Sequence, residues 1–519
     1  MARHGRRTQR ERETEMKRKD GKPVLRARRL GINSQHEAIA FVQQECAACR
    51  SEGFSAHSRV LLKNGGAEIF ATLHYVTSDL VRIEEIGLSE SAWHRLNLRG
   101  GEVLTISHPA PLTSFADVRG KIFGQRLTQK PCRQIIQDIV DGRYSDIQLT
   151  AFVTACSARV LDADETTALT LAMVESGSKL DWQQDVVADK HCVGGLPGNR
   201  TTPIVVAIAA ANGLTMPKTS SKAITSPAGT ADTMATITDV NLSIDEMRAV
   251  LEKENACFVW GGSVNFSPAD DTLIRIQKAL DLDSEGPLIA SVLSKKIAAG
   301  ATHLVIDIPV GTTAKVRSAE AAESLRKHFE ATAEYFGIEV SVQVTDGTQP
   351  VGRGIGPALE ARDVLAVLRN DLNAPPELRD RACVLAGALL ELTGVAERGT
   401  GTQRARETLT SGEANTRFEA ICKAQGGLKH PPDAEHQRAI KAPHNGRVAQ
   451  IDNRRLAKAA KLAGAPEDAA AGIDLHVYLG DMVRQGDALF TLHTQSPGEL
   501  EYALDYIASN PGIVELTSP

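Results

Sequence analysis

One apolar segment lies between two loops of small and hydroxylated residues, and this arrangement constrains the fold most. The segment 203–212 has helical character, and strand-like segments at 186–189 and 214–217 precede the two loops. Strands that alternate with helices in this way predict an α/β fold. In such folds the loops at the strand ends bind ligands.

Both loops have the composition of an anion site. The first covers residues 190–195 (KHCVGG) and the second covers residues 220–230 (SSKAITSPAGT). Backbone N–H groups and hydroxyls in such loops can close around an anion, and Lys190 and Lys222 supply matching positive charge. The pattern predicts an enzyme that uses phosphate as a reactant.

Length and composition indicate a large globular protein. A chain of 519 residues predicts three or four domains, and a hydrophobic content of 42% allows a sizeable core. The longest strongly apolar run, 204–211, is too short to span a bilayer. The first residues carry no apolar signal segment, so we expect a cytoplasmic location.

The eight cysteines are scattered, and only Cys46 and Cys49 form a CxxC motif. No second pair or histidine pair stands at metal-binding spacing, so we interpret this motif as a helix with two buried thiols. A reducing compartment fits this distribution.

The N-terminus is strongly basic. Residues 1–29 hold 12 Lys or Arg against 4 Asp or Glu, whereas the whole chain has a net charge of −5. We expect a disordered, solvated arm over residues 1–29. The alternative is a non-enzymatic protein that binds RNA through this arm, since clustered cations attract phosphodiesters.

Composition shifts divide the rest of the chain into four parts. Strand patterns on both sides of Asn64-Gly65-Gly66 predict a hairpin within a β-rich N-terminal domain. The expected domains are a β-rich domain at 30–108, a helical domain at 116–180 with 267–300, an α/β phosphate-binding domain at 185–262 with 303–436, and a C-terminal α+β region rich in β-hairpins at 437–515.

Six motifs in order carry a resemblance to a known family. They are 189–195 (DKHCVGG), 198–202 (GNRTT), 220–233, 268–271 (PADD), 291–296 (SVLSKK) and 349–352 (QPVG). Together they resemble the thymidine phosphorylase / AMP phosphorylase family over about residues 116–515. The resemblance implies a helical domain plus a large α/β domain of the nucleoside phosphorylase and phosphoribosyltransferase type.

The implied reaction is phosphorolysis. Inorganic phosphate attacks C1′ of a nucleoside or nucleotide and releases the free base, through a transition state with oxocarbenium character. The resemblance implies phosphate as co-substrate, no cofactor or metal, and a homodimer or larger homo-oligomer. We expect thymidine as the substrate, giving thymine and 2-deoxy-D-ribose 1-phosphate.

Two other enzymes stay open as alternatives. One is an AMP, CMP or UMP phosphorylase that gives base and ribose 1,5-bisphosphate. The other resembles anthranilate phosphoribosyltransferase, with Asp270 and Asp271 as ligands for Mg²⁺-bound pyrophosphate. These two acidic residues stand here within the phosphorylase motif, which favours a phosphorylase.

The resemblance also implies roles for single residues. Asp283 matches the proton donor to the leaving base and His191 packs on the base or sugar, although an exposed cap carboxylate and a structural histidine are the alternatives. Ser291 and Lys295 share one helix face and match base contacts. The residues that match ligand contacts in the loops are Lys190, Gly195, Ser221, Lys222, Ala223, Ile224, Thr225, Ser226, Thr230 and Lys315.

A second interpretation or a departure from the family pattern also applies to three of the loop residues and to the neighbouring Cys192. Lys190 could instead be a surface lysine at a strand end, and Thr230 could cap a helix. Cys192 stands where the family often has serine, and a thiol is the weaker hydrogen-bond donor. Lys222 stands where the AMP phosphorylase branch has arginine, so the bidentate fork is lost.

Overall fold

The computed structural model describes residues 18–19, 22–223, 226–264, 266–280, 282 and 284–517. The chain divides into two units, residues 1–155 and residues 156–519. The first unit contains β1 (Arg18–Lys19), β2 (Lys22–Arg29), β3 (Ile39–Gln43), α1 (Ala47–Glu52), β4 (Arg59–Asn64), β5 (Ala67–Val76), β6 (Glu85–Leu88), α2 (Glu90–Arg95) and β7 (Val103–Ser107).

These strands form a closed barrel. The pairing order is β1-β2-β6-β3-β5-β4-β7, and β7 also pairs with β2, so that β2 to β7 close into a ring without a free edge. The predicted hairpin is confirmed, because Asn64 lies opposite Ala67 in the antiparallel β4–β5 pair. Gly65 has a φ of 57°, the left-handed conformation that a tight hairpin turn requires.

The barrel begins before residue 30, the expected start of the β-rich domain, because part of the basic N-terminal segment forms β2. β2 pairs with β6 and β7, and the side chains of Leu25 and Ala27 are buried between exposed Arg26 and Arg28. The prediction of a disordered arm is therefore wrong for residues 22–29, where the many arginines hide an alternation of period two. Residues 1–17 and 20–21 lie outside the described part of the chain.

Four helices follow the barrel: α3 (Phe115–Ile122), α4 (Gln129–Val140), α5 (Asp146–Ala158) and α6 (Ala163–Glu175). Ile135, Ile136 and Ile139 stand at helical spacing, and all three side chains are buried on α4. α6 begins with a capping box in which Asp162 and Glu165 satisfy each other's backbone N–H groups.

The second unit contains a parallel sheet. Its strands are β8 (Ala188–Cys192), β9 (Met216–Ser220), β10 (Ala256–Trp260), β11 (His303–Val310) and β12 (Glu339–Asp346). β10 pairs with β9, β8 and β12 flank β11, and a parallel bridge from Val187 to Thr215 joins the two groups. The expected α/β fold is confirmed, with β8 between β9 on one side and β11 on the other.

The helices of this part are α7 (Thr202–Ala211), α8 (Thr230–Ala235), α9 (Ile244–Glu254), α10 (Gly261–Val264), α11 (Pro268–Leu280), α12 (Glu285–Ala298), α13 (Ala319–Tyr335), α14 (Pro357–Leu368), α15 (Pro376–Leu392), α16 (Gly401–Thr410) and α17 (Glu413–Ala424). α7 is the apolar segment between the two loops, and its residues 202–210 are all buried. The chain passes from β8 to β9 on one side and later returns to the other side of β8 at β11. Such a reversal of strand order predicts a crevice at the carboxyl ends of these strands.

The C-terminal region is strand-rich and contains β13 (Gly354–Ile355), β14 (His436–Lys441), β15 (Gly446–Ile451), α18 (Asn453–Leu462), β16 (Gly472–Leu475), β17 (Met482–Val483), β18 (Ala488–Thr494), α19 (Pro497–Ser509), a 3₁₀ turn (Pro511–Ile513) and β19 (Val514–Thr517). Its sheets run β13-β16-β18-β14 and β17-β15-β19. The described strands here pair with partners that are distant in sequence, so the expected consecutive hairpins do not form. No helix among the described residues is long and apolar enough to cross a membrane.

Candidate active site

Lys190 lies on a strand and not in the first loop. β8 continues through Lys190, whose side chain has a relative exposure of 0%. Its Nζ donates to the hydroxyls of Thr201 at 2.8 Å and Thr202 at 3.4 Å, and no described carboxylate forms an ion pair with it. The alternative of a surface lysine is therefore wrong, and burial lowers the pKa of this ammonium group.

The first loop brings two of the expected ligand residues together. Gly194 and Gly195 have φ values of 88° and 80°, and a Cβ on Gly195 would lie 2.4 Å from the Cβ of Lys315. Only glycine fits this close approach without displacing a neighbour. Gly195 therefore allows the loop after β8 to touch the loop after β11, at the carboxyl edge of the sheet.

Cys192 is the last residue of β8, and its sulfur accepts hydrogen bonds from two neighbouring groups. Asn199 Nδ2 donates to Cys192 Sγ at 3.3 Å and to Asp307 Oδ2 at 3.0 Å, and Gly194 N lies 3.5 Å from the same sulfur. Burial raises the pKa of Cys192 to about 12, so the group is a neutral thiol at physiological pH. The S–H is a weak donor, and its interaction with Asp307 contributes to the raised pKa.

Arg200 connects the segment between the first loop and α7 to the second loop. Its guanidinium donates to Thr230 Oγ1 at 2.7 Å, to the Ala228 carbonyl at 2.8 Å and to Glu360 Oε2 at 2.6 Å. Glu360 is buried, and desolvation raises the pKa of its carboxyl group although the ion pair with Arg200 opposes this effect. The guanidinium thus fixes the position of the Thr230 hydroxyl, while the hydroxyl hydrogen stays free to point at a ligand.

Asp232 holds the second loop from the other side. Its Oδ2 accepts the backbone N–H groups of Ala223 at 2.6 Å and Gly229 at 2.9 Å. Gly229 is the N-cap of α8 and Thr230 is the first helical residue, so the capping alternative for Thr230 is wrong. A Cβ on Gly229 would lie 2.6 Å from the Ser221 carbonyl, so this loop also closes tightly on a glycine.

The outer part of the second loop is more exposed. Lys222 is exposed, and its Nζ lies 4.3 Å from the centroid of the Trp260 ring, a cation–π contact. Ser226 is exposed and donates to the Ala228 carbonyl at 2.9 Å, whereas Ser221 is half-buried. Two of the predicted contacts, Ile224 and Thr225, lie outside the described residues.

Helix α12 carries the residues expected at the base. Lys295 forms an ion pair with the buried Asp270 of α11 at 2.6 Å and keeps 23% of its side-chain surface exposed. Ser291 lies one turn earlier on α12, half-buried on the same face. Asp283, the expected proton donor, lies outside the described residues, so its role stays a prediction.

His191 is held neutral by its surroundings. Burial and the positive charges of Lys296 and Lys218 place the pKa of His191 well below its usual range. A neutral imidazole can donate or accept one hydrogen bond at each nitrogen but carries no charge. The side chain is therefore suited to hydrogen bonding with a ligand and is not an electrostatic stabiliser.

Sequence reasoning missed a charged cluster beneath the loops. Asp189 lies between Lys218 Nζ at 2.9 Å and Lys296 Nζ at 2.7 Å, and all three side chains are almost fully buried. Two signals in the sequence point to it, namely a lysine within a strand that follows an apolar helix and the second lysine of the 291–296 motif. Buried lysines require a partner, which is why Asp189 stands between them.

The described residues contain no group of three or more His, Cys, Asp or Glu side chains arranged to hold a metal ion. Asp270, one of the two carboxylates considered as ligands for Mg²⁺-bound pyrophosphate, is instead paired with Lys295. The cationic side chains of the site, Lys190 and Arg200 among them, favour an anionic ligand directly.

Sequence models of known families match most of the chain. The "Glycosyl transferase family, a/b domain" matches residues 184–415, the "Glycosyl transferase family, helical bundle domain" matches 118–177, and the "Pyrimidine nucleoside phosphorylase C-terminal domain" matches 447–513. The chain is also similar to an anthranilate phosphoribosyltransferase from Thermus thermophilus, with a TM-score of 0.50, 20% identity, and coverage of 60% of this chain and 99% of that one. This likeness concerns the fold alone.

Curated relatives match nearly the whole chain. A protein of Hahella chejuensis is 55% identical over 489 residues, which cover 94% of this chain and 97% of the relative. A protein of Parvibaculum lavamentivorans is 54% identical over 494 residues, which cover 95% of this chain and 98% of the relative. Both carry the name "Putative thymidine phosphorylase".

Proposed function

Because this chain belongs to the thymidine phosphorylase family of glycosyl transferases, we propose that it cleaves the N-glycosidic bond of thymidine with inorganic phosphate. The products are thymine and 2-deoxy-D-ribose 1-phosphate. A phosphate oxygen forms the new bond to C1′ while the C1′–N1 bond breaks, and the electron pair of that bond leaves with the base. A proton delivered to the base completes the balance, and Asp283 is its expected source.

The buried ammonium group of Lys190 carries this proposal. A lysine with 0% exposure and only hydroxyl hydrogen-bond partners is costly, since burial removes its hydration and no described carboxylate pairs with it directly. A phosphate dianion in the adjacent loops supplies the missing negative charge. The second loop adds the Thr230 hydroxyl, which Arg200 holds in place at 2.7 Å.

The arrangement divides the reaction between two sides of the crevice. Lys190, Gly195 and Thr230 hold the nucleophile at the carboxyl ends of β8 and β9, and a fixed nucleophile lowers the entropic cost of attack. Ser291 and Lys295 on α12 bind the base and stabilise the negative charge that develops on it. His191, held neutral, offers a hydrogen bond to the sugar or the base.

A nucleoside monophosphate is the second candidate, and Lys222 is the observation that favours it. A 5′-phosphate brings about −1.5 to −2 charge, which must meet a cation. Lys222 is exposed at the outer part of the second loop and rests on Trp260, where it is accessible to such a group. Thymidine remains our first choice because the relatives at 55% and 54% identity carry that name.

A base-release assay tests the proposal. Thymidine, uridine, AMP, CMP and UMP are each incubated with the enzyme, with and without phosphate, and the free base is quantified by chromatography. We expect thymine release that depends strictly on phosphate. Equal release without phosphate would indicate a hydrolase, and release from the monophosphates alone would replace thymidine with the second candidate.

A further inference from the structure

The buried cluster of Asp189, Lys218 and Lys296 joins three elements of the site. Asp189 is on β8, Lys218 is on β9 and Lys296 is on α12, with relative exposures of 1%, 3% and 3%. The carboxylate lies 2.9 Å from Lys218 Nζ and 2.7 Å from Lys296 Nζ. Such contacts in a protein interior are far less screened by water and salt than those at a surface.

Each member of the cluster lies next in sequence to a residue or loop of the proposed active site. Asp189 precedes Lys190, and its Oδ1 also accepts the Lys190 backbone N–H at 2.6 Å. Lys296 follows Lys295 on the base-side helix, and Lys218 stands just before the second loop. The cluster is therefore the point where the strands that carry the phosphate loops meet the helix that carries the base contacts.

We propose that Asp189 is a positioning residue for phosphorolysis, which holds α12 at the correct distance from the phosphate loops through its ion pair with protonated Lys296. This proposal rests on the proposed function. The two reactants bind on different elements, and a small error in their separation reduces the rate strongly. Asp189 itself touches neither of them.

The ion pair between Asp189 and Lys296 depends on the protonation of the lysine. Two ammonium groups share one carboxylate in a buried space, so one proton is held weakly. Burial, together with the charge of Lys218, lowers the pKa of Lys296 to about 7, despite the opposing effect of Asp189. The ion pair between Asp189 and Lys296 is then complete at acidic pH, is half lost at about pH 7 and disappears as the pH rises further.

Other titratable groups lie close to the cluster, and three of them keep their charge in this range. On β8 these are Asp189, whose pKa is lowered, and His191, whose pKa lies well below its usual range. On β10, burial raises the pKa of Cys257 to about 12. The remaining neighbours are Lys218 on β9 and Lys295 on α12, and both are paired with carboxylates.

The test compares kcat/KM across the pH range for wild type, Lys296→Met, Lys218→Met and the control Lys253→Met, which removes an exposed lysine of α9. At each pH the kcat/KM of a variant is divided by that of wild type, which removes the effect of the titration of phosphate and of the nucleoside. We expect Lys296→Met to lose about tenfold or more below pH 7 and its ratio to approach one above pH 8. Lys218→Met removes the neighbouring positive charge that lowers the pKa of Lys296. The decline of kcat/KM at alkaline pH should therefore move to higher pH in this variant.

A readout without substrate accompanies the kinetics. Between pH 7 and pH 9 the unfolded chain binds a proton at Lys296 that the folded protein has lost, so the free energy of unfolding of wild type should rise relative to Lys296→Met. Urea unfolding at these two pH values measures the difference. Lys253→Met should behave as wild type in both experiments.

Each outcome supports or contradicts the positioning role of Asp189. A Lys296→Met loss that is constant with pH, or a Lys218→Met profile without an alkaline shift, would overturn the proposal and indicate a packing role only. If Lys296→Met fails to fold, the Lys218→Met profile decides alone. A wild type that shows no phosphorolysis would refute the proposed function, and the urea difference would then still support or contradict the protonation of Lys296.

Discussion

The guanidinium of Arg200 donates to the hydroxyl of Thr230 at 2.7 Å and thereby connects the segment before α7 to the second loop. The same guanidinium reaches the Ala228 carbonyl and the buried Glu360, so all three of its nitrogens are engaged with fixed partners. A planar fork of donors suits this arrangement, whereas a single ammonium group does not.

Arg200→Lys should therefore raise KM for phosphate and lower kcat. The lysine keeps the charge but loses at least one charge-assisted hydrogen bond, worth about 1.5–3 kcal/mol, or roughly ten- to a hundredfold in kcat/KM. Steady-state kinetics at varied phosphate measure the effect. The matched control is Arg326→Lys, whose arginine makes comparable pairs with Glu323 and Glu330 on a partly exposed helix. Equal kinetics for both variants would contradict a role of Arg200 in the loops.

Lys190→Met should weaken the use of phosphate and stabilise the free protein. The methionine fills a similar volume without a buried charge that lacks a carboxylate partner, so urea unfolding should show no loss of stability. The KM for phosphate should rise about ten- to a hundredfold, because a charge-assisted contact is lost. An unchanged phosphate dependence would exclude Lys190 from the site.

Cys192→Ser should lower the KM for phosphate by a few fold. The hydroxyl is a stronger donor than the thiol, whose pKa of about 12 keeps it neutral, and it can still accept from Asn199. Cys257→Ser serves as the control, since this buried thiol lies within a strand of the same sheet. A rise in KM would instead show that the size of sulfur is needed.

Lys222→Ala separates the two candidate substrates. If Lys222 binds a 5′-phosphate, turnover of AMP, CMP or UMP should fall by about tenfold or more while turnover of thymidine changes little. Trp260→Leu should reproduce part of this effect, because the ring holds the ammonium group at 4.3 Å. A uniform loss on every substrate would place Lys222 at the attacking phosphate.

The protein should form at least a dimer in solution, as the family resemblance implies. Light scattering coupled to gel filtration measures the mass directly. A chain of 55.6 kDa gives about twice that mass as a dimer, and a single species at the mass of one chain would contradict the prediction.

Several features of the fold follow from the sequence because they depend on local patterns. The Gly65-Gly66 turn, the acidic start of α6 at Asp162 and the apolar helix α7 each result from residues close together in the chain. The two loops were likewise predicted at the strand ends, from small residues and hydroxyls next to strand-like segments. Apolar residues recur every two residues in a strand and every 3.6 residues in a helix, and such patterns can be recognised without knowing the distant partners.

The strand boundaries and the charged partners depend on tertiary contacts instead. The polar residues of 190–192 indicated a loop, yet they extend β8, because Thr201 and Asn199 beyond the strand form hydrogen bonds with Lys190 and Cys192. In the same way the basic N-terminal segment indicated an exposed arm, whereas barrel closure takes residues 22–29 into a sheet. A polar strand is stable only where its partners exist, and those partners are not local.

The sequence by itself determined the order of strands and helices, the two anion loops and the family to which the motifs point. Only the tertiary structure decided that Lys190 is fully buried, that Arg200 contacts the second loop and that Asp189 lies between two lysines. The physical reason is the same in each case. The cost of burying a charge, and the identity of its counter-charge, are set by residues that folding brings together from distant parts of the chain.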